Sequence, residues 1–332
     1  MSIRVAVDAM GGDHAPSVAV RGCVDAARAM GDSVQILLFG PEGELSPLLS
    51  AAGSRSNVTV VHAPRVIGMC ESPAVAVKGK PDSSICMAAG AVAKGHADAF
   101  VSAGNTGAVM AAALFILGRL KGVSRPAVIG HYPTVKGFCV LLDVGTNVDC
   151  KPEHLRQFAH MGAIYSERVL KVKNPSVGLL NIGEEPGKGN EQAKAAHQLL
   201  SEASGLNFIG NVEGRDVMRH GADVVVCDGF VGNVVLKLGE SVAHIIPQMI
   251  GEEMQRQKMT PDDQAVVARA LAGVSKRFDY EEYGGVPMLG IGGTVIIGHG
   301  GSREKAFGNM VRAAVETARQ DVAGSISAAL AS

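Results

Sequence analysis

The sequence predicts an α/β fold built on a mainly parallel sheet. Three observations carry this. Short apolar runs of strand length recur along the chain and lack clean alternation, as expected when both faces of a strand are buried. Helical periodicity fills the intervals between them. Each run closes on glycine with one or two small polar residues, the punctuation of a strand-to-helix turn. Glycine accordingly reaches 42 of 332 residues, about twice ordinary usage.

The elements follow in order. The first run and its turn occupy 3–12 (IRVAVDAMGG). Residues 41–57 hold the densest turn signals, around a helical pair of leucines. A second run and turn lies at 98–107 (DAFVSAGNTG), followed by an Ala/Leu helix over 108–120. The run at 138–147 (FCVLLDVGTN) precedes a helix over 152–170, opened by Pro152 at a position proline tolerates. Runs at 177–185, 207–214 and 223–233 alternate with helices over 190–203 and 233–257, and a last helix spans 302–322. Residues 240–282 are helical and richer in charge, with Thr260-Pro261-Asp262-Asp263 marking a new helix start. They read as a helical hairpin protruding from the α/β body. No low-complexity linker divides the chain, so 1–332 is expected to be a single domain.

Composition narrows the function. Hydrophobic residues make up 47% and charged residues 19%, enough for a sizeable core and incompatible with disorder. Thirty-one Lys+Arg against 32 Asp+Glu give a net charge of −1, without the basic excess of a nucleic-acid binder. The six cysteines form no C-x-x-C pair and mostly sit in apolar runs, as reduced core thiols do. A reducing cytoplasm is the expected setting, and Asp8 and Asp13 argue against a signal region. The uncharged stretches 99–118 and 283–302 are long enough for membrane spans. Their glycines and polar residues assign them instead to buried strand, turn and helix.

In a parallel sheet the strand carboxyl ends share one edge, where ligands bind. That edge is expected to carry Asp8, Gly11, Gly12, Asp13 and His14, then Ser102, Gly104, Asn105 and Thr106. Asn147, Asn181, Asn211, Asp228 and Asn233 are expected on the same rim. Any one such turn reads as plain chain reversal, since Gly and Asn tolerate left-handed backbone. Together, repeated amides and acids beside glycine point to a site, because asparagine can orient an anion or a carbonyl. Lys188, in a glycine loop, could reach a phosphate but alone reads as a solvated lysine. Arg215 and Asp216 read as an ion pair or helix cap. His14 and His299 stand beside glycines, where either acid–base work or simple exposure is open. No P-loop, no dinucleotide G-x-G-x-x-G, no G-x-S-x-G elbow and no metal-ligand spacing occurs, so no cofactor or metal is expected.

The motifs resemble a known family. VAVDAMGGDHAP (5–16), VSAGNTGA (101–108), DVGTNVDCKPEHLRQFAHMGAIY (143–165), GLLNIGEE (178–185), GNVEGRD (210–216), CDGFVGNVVLK (227–237), YGGVPMLGI (283–291) and HGGS (299–302) occur in order. They are similar to those of bacterial acyl-acyl-carrier-protein:phosphate acyltransferases, the fatty acyl-phosphate synthases of the PlsX family. The resemblance covers essentially the whole chain. Thr146 departs from it, standing where the family usually has Ala, as does Ser72-Pro73 and the polar excursion tip MQRQKMTPDDQ (254–264).

The resemblance implies a Rossmann-like α/β/α sandwich of the isopropylmalate dehydrogenase and phosphotransacetylase type. It implies transfer of a fatty acyl group from acyl carrier protein to inorganic phosphate, giving acyl phosphate for phosphatidic acid synthesis, without a cofactor. Asp13, His14, Asn105 and Thr106 are the expected catalytic residues. Gly11, Gly12, Ser102, Gly104, Asn147, Asn181, Lys188, Asn211, Asp228, Asn233 and His299 are expected to line the substrate cleft. Implied partners are acyl carrier protein, a second copy of the chain, and a membrane-bound glycerol-3-phosphate acyltransferase. The implied location is the cytoplasm, with peripheral contact at the inner membrane face. Two basic clusters, Arg119, Lys121 and Arg125, and Lys78 with Lys80, are candidates for meeting an acidic carrier. The alternatives are an acyl-CoA-dependent phosphate acyltransferase and a non-catalytic membrane-associated scaffold that binds the carrier.

Overall fold

The computed structural model describes residues 2–330. Eleven strands form one sheet: β1 (Ile3–Asp8), β2 (Val34–Gly40), β3 (Val58–His62), β4 (Ala99–Ser102), β5 (Ala127–Thr134), β6 (Gly137–Leu142), β7 (Ser176–Asn181), β8 (Asn207–Glu213), β9 (Val224–Val226), β10 (Gly285–Leu289) and β11 (Thr294–Gly298). Their order is β3-β2-β1-β4-β11-β10-β5-β6-β9-β7-β8. Helices cover both faces. Val5 and Val7 of β1 pack with Phe307 and Met310 of the Glu304–Arg319 helix, while Ala6 between them joins Phe100 and the Ser84–Ala93 helix. That division is the period-two alternation of a strand buried on both sides.

The parallel character holds, but the single shared edge does not. β3, β2, β1, β4 and β11 run parallel in one block, and β6, β9, β7 and β8 in another. Three antiparallel steps separate the blocks: β11 to β10, β10 to β5, and β5 to β6. An odd number of reversals makes the blocks point opposite ways. Their carboxyl ends therefore lie on opposite edges, and the expected common rim of Asn105, Asn147, Asn181, Asn211 and Asn233 is corrected to two groups. The reason is local. Only residues 135 and 136 join β5 to β6, and a link that short can join only antiparallel neighbours.

The sheet also opens at its middle. β5 and β10 pair at just two positions, Ala127 opposite Leu289 and Val128 opposite Met288. Beyond them β10 stays with β11 as far as Gly285, and β5 stays with β6 as far as Thr134. The two inner edges diverge over the remaining length. Pro133 and Pro287 lie on these diverging stretches and have no N–H, so each strand leaves one donor fewer to satisfy.

The expected helices are present with shifted ends. They run Pro152–Arg168, Glu191–Ser201, Gly229–Arg256 and Glu304–Arg319, and Thr106–Ala112 continues as a wider turn over Ala113–Leu117. The Gly229–Arg256 helix starts four residues before its expectation because the Asp228 carboxylate caps it, accepting from Val231 N at 2.8 Å. The turn-rich 41–57 segment instead contains the Glu42–Ala51 helix. The excursion consists of the C-terminal part of the Gly229–Arg256 helix, the Pro261–Ser275 helix and short turns to Tyr283. No residue of the Pro261–Ser275 helix is buried. The Gly229–Arg256 helix is long and apolar enough to cross a membrane, with mean hydropathy 1.2 over its most apolar window, and only 17% of that window is buried. The uncharged stretches 99–118 and 283–302 are the interior elements expected of them, containing buried β4, β10 and β11.

Candidate active site

The first edge is organised by a buried acid. Asp8 ends β1 with its carboxylate 1% exposed. Ser102 Oγ, at the end of β4, donates to Asp8 Oδ2 at 2.7 Å, and Met10 N donates to Oδ1 at 3.2 Å. Ser102 Oγ in turn accepts from Gly104 N at 3.0 Å. Burial pushes the Asp8 carboxyl above its ordinary range, and the hydrogen bonds from Ser102 and Met10 oppose that rise. The bonds lock the turn after β1 to the turn after β4. Gly11 makes the close approach possible, since a Cβ there would lie 2.6 Å from Gly104 N. Gly12 has φ +111°, and the next amide, Asp13 N, donates to Gly300 O at 2.8 Å.

Asn105 serves the scaffold. Its Oδ1 accepts from Ala108 N at 3.1 Å and caps the Thr106–Ala112 helix. Its Nδ2 donates to Gly68 O, Met69 O and Glu71 O at 3.3, 3.0 and 2.9 Å. The amide is thus engaged at both ends, and its geometry is that of a clamp on residues 68–71. Asp13, His14 and Thr106 are exposed, and their side chains have no hydrogen-bond partner among the described residues. His299 is exposed too, with Nδ1 accepting from Gly301 N at 3.1 Å. That bond places the proton of the neutral ring on Nε2.

A second buried acid, Asp143, organises the opposite edge. It accepts from Val128 N and Thr146 N at 3.2 Å each, from Asn147 N at 2.6 Å and from Asn147 Nδ2 at 2.9 Å. Burial pushes its carboxyl up against these bonds. Asn147 Nδ2 also donates to Pro126 O at 2.7 Å, so Asn147 braces the loop. The Thr146 hydroxyl accepts from Val128 N at 3.2 Å and adds a tie that alanine could not make. Asn181 Nδ2 donates to Lys188 O at 3.1 Å, and Asn211 Nδ2 to Glu185 O at 2.8 Å. Lys188 is an exposed loop lysine with Nζ 3.8 Å from Glu185. Arg215 pairs with Glu213 at 2.8 Å and Asp216 caps its helix, as read from sequence. Asn233 is exposed, faces Gly145, and has no hydrogen-bond partner among the described residues. A cavity of about 380 Å³ lies beside Asn181 and Asp228.

One cavity joins the two halves. It measures about 220 Å³, lies where β5 and β10 diverge, and is lined by Thr106 and His299 together with Val144, Leu236 and Lys237. The rest of its wall is mainly apolar and aromatic, including Tyr132, Phe278, Tyr283, Val286 and Ile297, and Glu240 also lines it, paired with Lys237 at 2.8 Å. His131 is its unusual member. Burial pushes the imidazole down to about 4, its Nε2 lies 3.2 Å from Tyr165 Oη, and its Nδ1 is buried without a partner. The ring stacks within 5.1 Å of Phe138 and 5.6 Å of Tyr283, centroid to centroid. A neutral ring among aromatics adds no charge to the β5 side of the cavity at physiological pH.

The cavity therefore offers Thr106 and His299 where β4 and β11 end, the Lys237–Glu240 pair on the long helix, and hydrocarbon over much of the remainder. Of the sequence-derived site residues, Thr106 and His299 line it, while Gly11, Gly12, Ser102, Gly104 and Asn105 build the turns that carry Thr106. Asn147, Asn181, Lys188, Asn211, Asp228 and Asn233 belong to the other edge. Sequence reasoning placed Asp8 on the ligand edge but missed Asp143, although that acid too terminates an apolar run. It missed His131, Tyr132 and Tyr283 because glycine and proline interrupt β5 and β10.

Comparisons with known proteins agree in kind. Residues 3–325 match the family described as fatty acid synthesis protein. A phosphate acyltransferase of Salinibacter ruber is 51% identical, covering 99% of this chain and 98% of the relative. One of Heliobacterium modesticaldum is 50% identical, covering 98% and 96% respectively. Among solved structures, a phosphotransacetylase from Streptococcus pyogenes superposes with a TM-score of 0.65 at 16% identity, covering 96% of this chain and 95% of that one. At that identity the likeness concerns the fold.

Proposed function

The chain belongs to the fatty acid synthesis protein family, and from that premise we propose that it transfers a fatty acyl group from acyl carrier protein to inorganic phosphate. The observation that carries the reading is the cavity with Thr106 and His299 at its polar end and hydrocarbon beyond. A phosphate oxygen attacks the thioester carbonyl carbon, and the carbonyl oxygen becomes a tetrahedral oxyanion. Collapse of that intermediate breaks the C–S bond. The carrier leaves as thiolate and takes a proton from solvent, and the acyl group departs as acyl phosphate. Phosphate is already anionic at neutral pH, so positioning and charge stabilisation supply the rate.

In this reading the Thr106 hydroxyl and the Nε2–H of His299 donate to phosphate or to the oxyanion. Asp13 and His14, on the turn locked to Gly300, orient the phosphate by its protons and oxygens. Asn105, Ser102, Gly104, Gly11 and Gly12 hold these groups in place. Lys237, which lines the cavity, and Asn233, one turn before it on the long helix, are the second half's candidates for the thioester end of the carrier's arm. Asn147, Asn181, Asn211 and Asp228 shape the loops behind them, and Lys188 remains a solvated loop cation.

The product is a reactive acyl phosphate, suited to a membrane acyltransferase that esterifies glycerol 3-phosphate on the way to phosphatidic acid. The chain then works in the cytoplasm, close to the membrane's inner face. Its excursion tip, residues 254–264, carries too much charge to insert deeply. The exposed stripe Val234, Leu238, Val242, Ile245 and Met249 on the long helix suits a second copy of the chain. Of the basic candidates, Lys80 is held by Glu71 at 2.7 Å, which leaves Lys78 and the Arg119, Lys121 and Arg125 group for an acidic carrier.

The test is direct. Purified protein with acyl-carrier thioester and phosphate should form a species that hydroxylamine converts to a hydroxamate, in a phosphate-dependent way. Acyl-CoA in place of the carrier should react more slowly. A hydroxamate signal indifferent to phosphate, or none, would overturn the reading.

A further inference from the structure

We propose that the acyl chain lies in the split between β5 and β10, and that Gly130 and Leu236 set how much of it enters. This rests on the acyl-transfer reading above.

The split is a structural opening in the sheet. Past the rung Val128–Met288, the two strands have no partner in each other for the rest of their length. A gap at this point exposes hydrocarbon from Val286, Ile297 and Tyr132 to whatever fills it. Water is a poor filler for such a wall, whereas each methylene placed there gains about 0.8 kcal/mol. At about 220 Å³, the space exceeds the ~150 Å³ of an apolar cavity that takes benzene. It suits the part of an alkyl chain nearest the thioester. Along β5 and β10 an anion would find a neutral imidazole and aromatic rings, and on the long helix Lys237 is paired with Glu240 at 2.8 Å, so the polar head stays at the Thr106 and His299 end.

Gly130 lines the cavity with no side chain of its own. A Cβ added there would lie 3.1 Å from Val144 Cγ1 and 3.8 Å from Leu236 Cδ1. Its backbone is not in the left-handed region, so a side chain is allowed at this residue. Glycine is needed instead for the space that a methyl group would take from the cavity. Leu236, from the Gly229–Arg256 helix, forms the facing wall. By contrast Gly239 brings the same helix against the Tyr132 ring, so its role is packing.

Gly130→Ala and Leu236→Ala change the cavity in opposite senses. Chain-length profiles are measured as kcat/KM over a series of saturated acyl-carrier thioesters from short to long, with folding checked by circular dichroism and melting. Gly130→Ala should lower the long-to-short ratio by about tenfold or more, the usual effect of one methylene in a hydrophobic pocket. Leu236→Ala should move the optimum towards longer chains. Wild-type profiles in both folded variants would overturn the inference. If wild-type protein forms no acyl phosphate from any donor, the acyl-transfer reading fails separately. Binding of a fluorescent fatty acid then decides the occupant: weaker binding by Gly130→Ala supports the split, and equal binding refutes it.

Discussion

Ser102 Oγ donates to Asp8 Oδ2 at 2.7 Å, and this one bond joins the ends of two adjacent strands under the candidate site. It fixes the Gly104-Asn105-Thr106 turn relative to Gly11 and Gly12. Removing the hydroxyl in Ser102→Ala leaves a buried carboxyl oxygen and Gly104 N without their partner. The expected loss is about 1–3 kcal/mol of stability, read by denaturant unfolding, with a fall in kcat accompanying it.

The same acid gives a pH signature. Its folded carboxyl titrates above the unfolded one, so its contribution to stability is full at pH below the unfolded value and is lost as pH rises through the folded one. Asp8→Asn keeps the shape and removes the titration. The variant should lose less stability than wild type as pH rises from acid towards neutral, measured as melting temperature against pH. Parallel curves would contradict the assignment.

His131 has the opposite sense. Its folded value of about 4 lies below the ordinary 6.5, so stability is intact above the ordinary value and falls as pH drops through the interval between them. The difference amounts to about 3 kcal/mol at most. Tyr165 and Tyr283, the titratable groups facing the ring, stay neutral there. His131→Phe should flatten the wild-type decline between those pH values.

Thr106 and Asn105 are neighbours with different work. Thr106→Val removes one exposed hydroxyl and should lower kcat/KM for phosphate about tenfold to a hundredfold, with stability little changed. Asn105→Ala removes a helix cap and the clamp on residues 68–71, and should cost about 2 kcal/mol or more in stability. Denaturation and phosphate kinetics on the two variants separate the roles. Equal phosphate defects with unchanged stability in Asn105→Ala would restore a direct contact.

The stripe on the long helix predicts assembly. Leu238 is 63% exposed in the isolated chain, and burying it against a second copy would make a charge there costly. Leu238→Glu should shift sedimentation from dimer to monomer.

Much of the fold was legible because burial on both faces writes continuous apolar runs, as at 5–7 and 224–226. The Pro152 helix start was legible for the local reason of proline geometry, whereas the Asp228 cap sets its helix start four residues before the expected 233. Strand direction was not, since an apolar run carries no arrow. The two-residue link at Val135 and Lys136 was the available clue to reversal, hidden by Pro133 and Gly137 on either side. Site residues followed the same pattern. The turns that carry Thr106 and His299 stood out as glycine beside polar groups. Asn105 and Asn147 looked alike in sequence, yet both are consumed by backbone partners that only the folded chain brings near. His131 went unnoticed because its meaning comes from Tyr165 and Tyr283, far away in sequence.

The most direct measurement is a structure with inorganic phosphate and a non-hydrolysable acyl thioether of the carrier's arm. The account predicts the alkyl chain between β5 and β10 against Gly130, with phosphate beside Thr106 and His299. An alkyl chain in the cavity beside Asn181 and Asp228, with the split between β5 and β10 vacant, would contradict it.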